Sequence, residues 1–89
     1  MGDTVARGEK LLARMRANPR DWSINDVETI CRAFRLDFDR PSGGSHYGIS
    51  DSTQVDHLTV PFARPIKPIY IRHLVHFVDA VLAARKESE

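Results

Sequence analysis

Histidine is the one side chain whose ordinary pKa falls near neutrality, and this 89-residue chain carries His46, His57, His73 and His76. His46 follows directly on Ser42-Gly43-Gly44-Ser45. Glycines strip bulk from a turn and let a phosphate come close to the backbone, so a histidine at its mouth has the makings of an acid or base for phosphoryl chemistry. The plainer reading of the same residues is a solvated strand histidine beside a flexible turn. Ser45 and His46 do not form a nucleophile and base, because neighbouring strand residues point to opposite faces.

His73, His76 and Asp79 recur at i, i+3 and i+6 and lie along one side of a helix. That side is opposite the apolar stripe of Ile71, Leu74 and Val78, and no further fixed donor stands nearby in sequence, so solvated side chains are expected and no metal site. The lone cysteine, Cys31, excludes an internal disulfide and falls on an apolar helical stripe, which makes it a core residue rather than a nucleophile.

Lys and Arg number 13 and Asp and Glu 12, so bulk charge favours neither nucleic acid nor membrane and placement must decide. From His57 to Val78 the chain has Arg64, Lys67 and Arg72, with no acid. The segment from Thr4 to Arg20 sets Arg7, Lys10, Arg14, Arg16 and Arg20 against Glu9 alone, whereas Asp21 to Asp39 is net acidic. A phosphate-facing surface needs this asymmetry, although basic residues also simply solubilise helix faces.

The elements that must position these groups follow from periodicity. Val5, Leu11, Leu12 and Met15 predict a helix over Thr4 to Asn18, stopped by Asn18-Pro19. Ser23 then serves as N-cap with Asp26 as its capping-box partner, and Trp22 and Val27 occupy the staple positions of a helix whose stripe is Val27, Cys31 and Phe34. Leu36 and Phe38 alternate with Asp37 and Asp39, predicting a strand; Arg40 to Gly44 forms a turn. A hairpin follows, with Tyr47 pairing Val60 and Ile49 pairing Leu58 across a loop from Asp51 to Asp56. That register leaves His46, Gly48, His57 and Thr59 on the wet face, with His57 opposite Ser50 and far from His46. Pro61 and Pro65 end the hairpin, and Pro68 opens a closing helix on Ile71, Leu74, Val75, Val78, Val81 and Leu82. Tyr70, Phe77 and Val81 widen that helix's apolar face beyond what a small sheet covers, which predicts contact with another chain.

The order helix, helix, strand, strand, strand, helix implies an α+β domain with helices on one face of an antiparallel sheet. A chain of 89 residues supports one such domain, residues 1–89, with its core at about 11–82 and flexible termini. No apolar run approaches the roughly 20 residues of a membrane span, and a single thiol suits a reducing cytoplasm.

Asn18 to Glu28, Gly44-Ser45-His46-Tyr47, Leu58-Thr59-Val60-Pro61 and Ile66 to Arg72 together resemble the longer members of the HicA family of toxin ribonucleases, over roughly Leu11 to Leu82. The resemblance implies a fold like the double-stranded-RNA-binding domain, messenger RNA cleavage without metal or cofactor, and neutralisation by a HicB-type antitoxin. Carried over by position, His46 becomes the catalytic histidine, with Gly44 and Ser45 beside the substrate. Three places depart from the family pattern: Gly48 replaces a larger residue, Phe62-Ala63-Arg64-Pro65 lacks the histidine or basic residue often found directly after the strand-ending proline, and the hairpin loop is atypical.

With RNA as substrate, the ribose 2′-hydroxyl is an internal nucleophile, so the site needs a base, positive charge for the phosphorane and a proton for the leaving oxygen. His46 supplies the base; Arg64, Lys67 and Arg72 supply candidate phosphate contacts; the leaving-group acid stays unassigned. Two rivals use the same residues: an RNA-binding module that cuts nothing, and an interaction protein that uses the last helix.

Overall fold

Local signals start the second helix where the sequence places it. In the computed structural model, which describes residues 2–88, the Ser23 amide donates to Asp26 Oδ2 (2.9 Å) and the Asp26 amide donates to Ser23 Oγ (3.3 Å), closing a capping box at the head of α2, Ile24–Ala33. The other end closes without glycine. The Leu36 amide donates to Cys31 O (2.8 Å) and the Arg35 amide to Arg32 O (3.3 Å), a Schellman pattern with Arg35 held at φ 57° in the left-handed region. Arg85 supports this strained end by donating to Phe34 O (2.5 Å) and Arg35 O (3.2 Å).

Ahead of α2 lies α1, Gly2–Ala17, two residues earlier at its start than the apolar period marks. It packs on α2 at Gly8, where a Cβ would come to 2.5 Å from Ala33 Cβ; only glycine permits this approach. After α2 come β1 (Asp37–Asp39), β2 (His46–Ser50) and β3 (Leu58–Pro61), then α3 (Pro68–Ser88), giving three helices and an antiparallel sheet of order β1-β2-β3. The hairpin register matches the apolar alternation: Tyr47 pairs with Val60 and Ile49 with Leu58, while β1 adds Phe38 opposite Ile49.

Phe38, Tyr47, Ile49, Leu58 and Val60 therefore share the inner face, on which Phe38 stacks against Tyr47 with ring centroids 5.5 Å apart. The helices cover that face. Met15, Val27, Ile30, Cys31, Ile49, Val60, Ile66, Ile71, Leu74, Val78 and Val81 are fully or almost fully buried in a single core. Packing thus reaches from Gly8 to Arg85, beyond the span of 11–82; Met1 and Glu89, the ends expected to be flexible, lie outside the described residues.

The expectation of a free apolar face on α3 is corrected. Val81 is 0% exposed, and Tyr70 and Phe77 are half-buried against the core. Helix α3 contacts both α1 and β3, so two elements cover what a sheet alone would not. Among the described residues no helix is long and apolar enough to cross a membrane.

Candidate nucleic-acid interface

His46 opens β2 and is exposed, directly opposite Pro61 on β3 and on the outer face of the sheet with Gly48 and Thr59. Gly44 and Ser45 are exposed in the turn before it. A Cβ added at Gly43 or Gly44 would meet nothing within 4 Å, and among the described residues no glycine has positive φ. Neither packing nor backbone geometry within the chain therefore demands these glycines. At Gly48 a Cβ would lie at an ordinary 3.8 Å from Asp39 Cβ, so packing does not demand glycine there either.

The ladder continues one step past the histidine. The Phe62 amide donates to Ser45 O (2.6 Å), which fixes Phe62 beside the turn. The chain then runs through Arg64 and Pro65 to Ile66, whose amide donates to Trp22 O (2.9 Å) in an isolated antiparallel bridge. Trp22 is itself anchored, its indole N–H donating to Asn18 O (2.6 Å) and the Arg14 guanidinium standing 5.3 Å from the ring centroid. This bridge holds the segment that carries Arg64 and Lys67. Lys67 lines a cleft of about 220 Å³ with Pro61, Phe62 and Tyr70, and Arg64 sits over the Phe62 ring at 5.4 Å.

The basic residues singled out in the sequence do not all gather here. Arg64 and Lys67 share the His46 end of the sheet, whereas Arg72 lies farther along α3, in a groove with Met15, Arg16, Val75 and His76. Arg16 is engaged: its guanidinium donates to both oxygens of Asp79 at 2.8 Å. Asp79 is thus an anchor between α1 and α3 rather than a merely solvated residue. The Arg16 bond lowers its carboxyl pKa, burial pulls the other way, and the Arg16 and His76 charges add to the lowering.

Strand pairing ends at Ile49 and Leu58, and His57 is exposed beyond it. His57 stands four positions before Pro61, roughly 13 Å along the strand, which keeps it from acting with His46. It instead lines a shallow groove with His73, His76 and Phe77, a convergence across the fold that sequence spacing does not reveal. Among the described residues no group of three or more His, Cys, Asp or Glu side chains is placed to hold a metal ion.

Cys31 is fully buried, and burial, reinforced by the Glu28 carboxylate, pushes its thiol up to about 12. It is a core residue, as the apolar stripe predicts. Phe62 is the feature that sequence reasoning passed over. Its position directly after a strand-ending proline, where no apolar period continues, was the available signal.

No family model matches the chain, and neither do the curated proteins or the solved structures.

Proposed function

We propose that this chain is a HicA-type toxin: a cytoplasmic, metal-independent endoribonuclease that cleaves messenger RNA with His46 as base and is restrained by a HicB-type antitoxin protein. The observation that carries this reading is an exposed histidine at the head of β2, beside an open glycine turn, with Arg64 and Lys67 at the same end of the sheet. The succession α2-β1-β2-β3-α3 supports the kinship with double-stranded-RNA-binding domains that the resemblance implies.

In this mechanism His46 takes the proton of a ribose 2′-hydroxyl, the freed oxygen attacks the adjacent phosphorus, and the bond to the 5′-oxygen breaks. Lys67 and Arg64 offset the negative charge that builds on the phosphoryl oxygens. The departing 5′-oxygen takes a proton from solvent at this open site.

The test compares native chain and His46→Ala on single-stranded RNA. Loss of cleavage with an unchanged thermal melt supports the assignment, because an exposed strand position contributes little to the core. Retained cleavage overturns it. A second reading, an RNA-binding module without catalysis, is favoured by one observation: among the described residues no hydrogen bond orients the His46 ring. RNA bound but never cut by the native chain selects that reading.

A further inference from the structure

A cleft of about 500 Å³ opens between the loop at the head of α2 and the segment after β3. Its walls are Asp21, Trp22, Ser23 and Asn25 on one side and Phe62 and Arg64 on the other. Phe62 is 41% exposed and is the one exposed Phe, Tyr or Trp among the described residues. Leaving such a ring in water costs stability, and here a guanidinium stands over it. Opposite the ring, neither the Asp21 carboxylate nor the Asn25 amide makes a side-chain hydrogen bond within the described residues. Asp21 is also held at φ 66°, a left-handed backbone uncommon outside glycine.

We infer that this cleft is a subsite for one unpaired nucleobase of the bound RNA, stacked on Phe62. The inference rests on the reading of the chain as an RNA-binding protein and adds where the base next to the scissile linkage goes. An aromatic face with a cation beside it accepts any base by stacking, and the facing amide and carboxylate offer donors and acceptors to a base edge. The Arg64 charge serves the phosphate of the same nucleotide. Phe62 follows Pro61, the cross-strand partner of His46, and its amide bonds to Ser45 O, so the ring and the histidine stand at the same end of the sheet. Because it leaves the strand toward the other side of the sheet's end, the base reaches it by splaying out of the single strand over that end.

The experiment uses a short single-stranded RNA that the native chain cuts, together with versions bearing one abasic nucleotide at each position flanking the cut. Binding is measured with His46→Ala protein, so that no RNA is consumed, alone and combined with Phe62→Ala, Phe62→Leu or Phe62→Trp. Removal of the ring weakens binding of the intact RNA about tenfold, the loss of one stacked base. Leucine fails to restore it and tryptophan does. At one position the abasic RNA binds about tenfold more weakly to the Phe62 protein and loses nothing further when Phe62 is removed. Equal binding of intact and abasic RNA at every position, or an unchanged affinity for Phe62→Ala, overturns the subsite even while the native chain still cuts RNA; the cleft then serves a protein partner or none. If the native chain neither binds nor cuts RNA, the nuclease reading fails and the subsite falls with it.

Discussion

Arg85 on α3 donates from Nη2 to Asp51 Oδ1 at 2.8 Å, while its Nη1 caps the carbonyl of Phe34 at the end of α2. One guanidinium thus joins the last helix, the second helix and the hairpin loop. Asp51 is buried, and it also accepts from the Thr53 amide (3.1 Å) and hydroxyl (2.5 Å), which folds the loop onto it. Arg85→Met keeps the aliphatic stem and removes three charge-assisted bonds, so it should lower stability by about 2 kcal/mol, read as an early midpoint in urea. An unchanged midpoint would show the pair to be ornamental.

Acid should unlock the same junction. Burial raises the Asp51 pKa, but the bonds from the Thr53 hydroxyl and amide and the Arg85 charge outweigh it and hold the carboxyl below its ordinary value. Asp79 is likewise held down, mainly by Arg16. A carboxylate with a depressed folded-state pKa contributes stability that is complete above the unfolded value of about 4 and is lost as pH falls through the folded value. Melting temperature should therefore be level above about pH 5 and drop below about pH 4, with Asp51→Asn less stable at neutrality and flatter in acid.

Gly8→Ala separates helix propensity from packing. Alanine gains roughly 1 kcal/mol in a helix interior, yet its methyl would meet Ala33 Cβ at 2.5 Å. The clash should win, with a net loss of about 1 to 2 kcal/mol on denaturant unfolding. Pairing it with Ala33→Gly should return part of that loss, and failure to do so would place the strain elsewhere.

Cys31 should resist thiol reagents. With its pKa near 12 and its side chain buried, modification by a disulfide reagent at pH 8 should proceed only as fast as the protein unfolds. A rate that follows reagent concentration in native buffer would mean that the thiol is open.

The proposed nuclease chemistry has its own signature. RNA should be cut and DNA of the same sequence left whole, with products ending in a 2′,3′-cyclic phosphate and a 5′-hydroxyl. One 2′-methoxy nucleotide should protect its linkage alone, and EDTA should change nothing. Cleavage at the methoxy linkage would require a nucleophile other than the ribose oxygen.

Much of the architecture was legible because it is written in short-range pattern. The Ser23 and Asp26 box, the two-residue alternation from Tyr47 to Val60 and the proline at the head of α3 each lie within a few residues of what they determine. Long-range partnerships were not legible. Nothing near Asp79 announces Arg16, and nothing near Asp51 announces Arg85, since each pair meets only once the helices have packed. The same limit explains Val81, assigned to a free face from helical spacing alone and covered by neighbours that spacing does not specify. At the site, His46 and its outer face could be read from alternation, whereas the separation of Arg72 from Lys67 and the cleft beside Phe62 depend on how the Trp22 and Ile66 bridge ties two distant segments.

The ends of the sheet bear on the behaviour of the protein at high concentration. β1 and β3 are the outer strands of the sheet, the places where a second chain adds on in fibril growth. β1 is three residues long and displays Asp37 and Asp39, so a copy laid against it brings carboxylates together. β3 is four residues long and finishes in Pro61, which has no N–H to offer. Both edges therefore disfavour strand-by-strand growth, which would otherwise compete for the hairpin that presents His46.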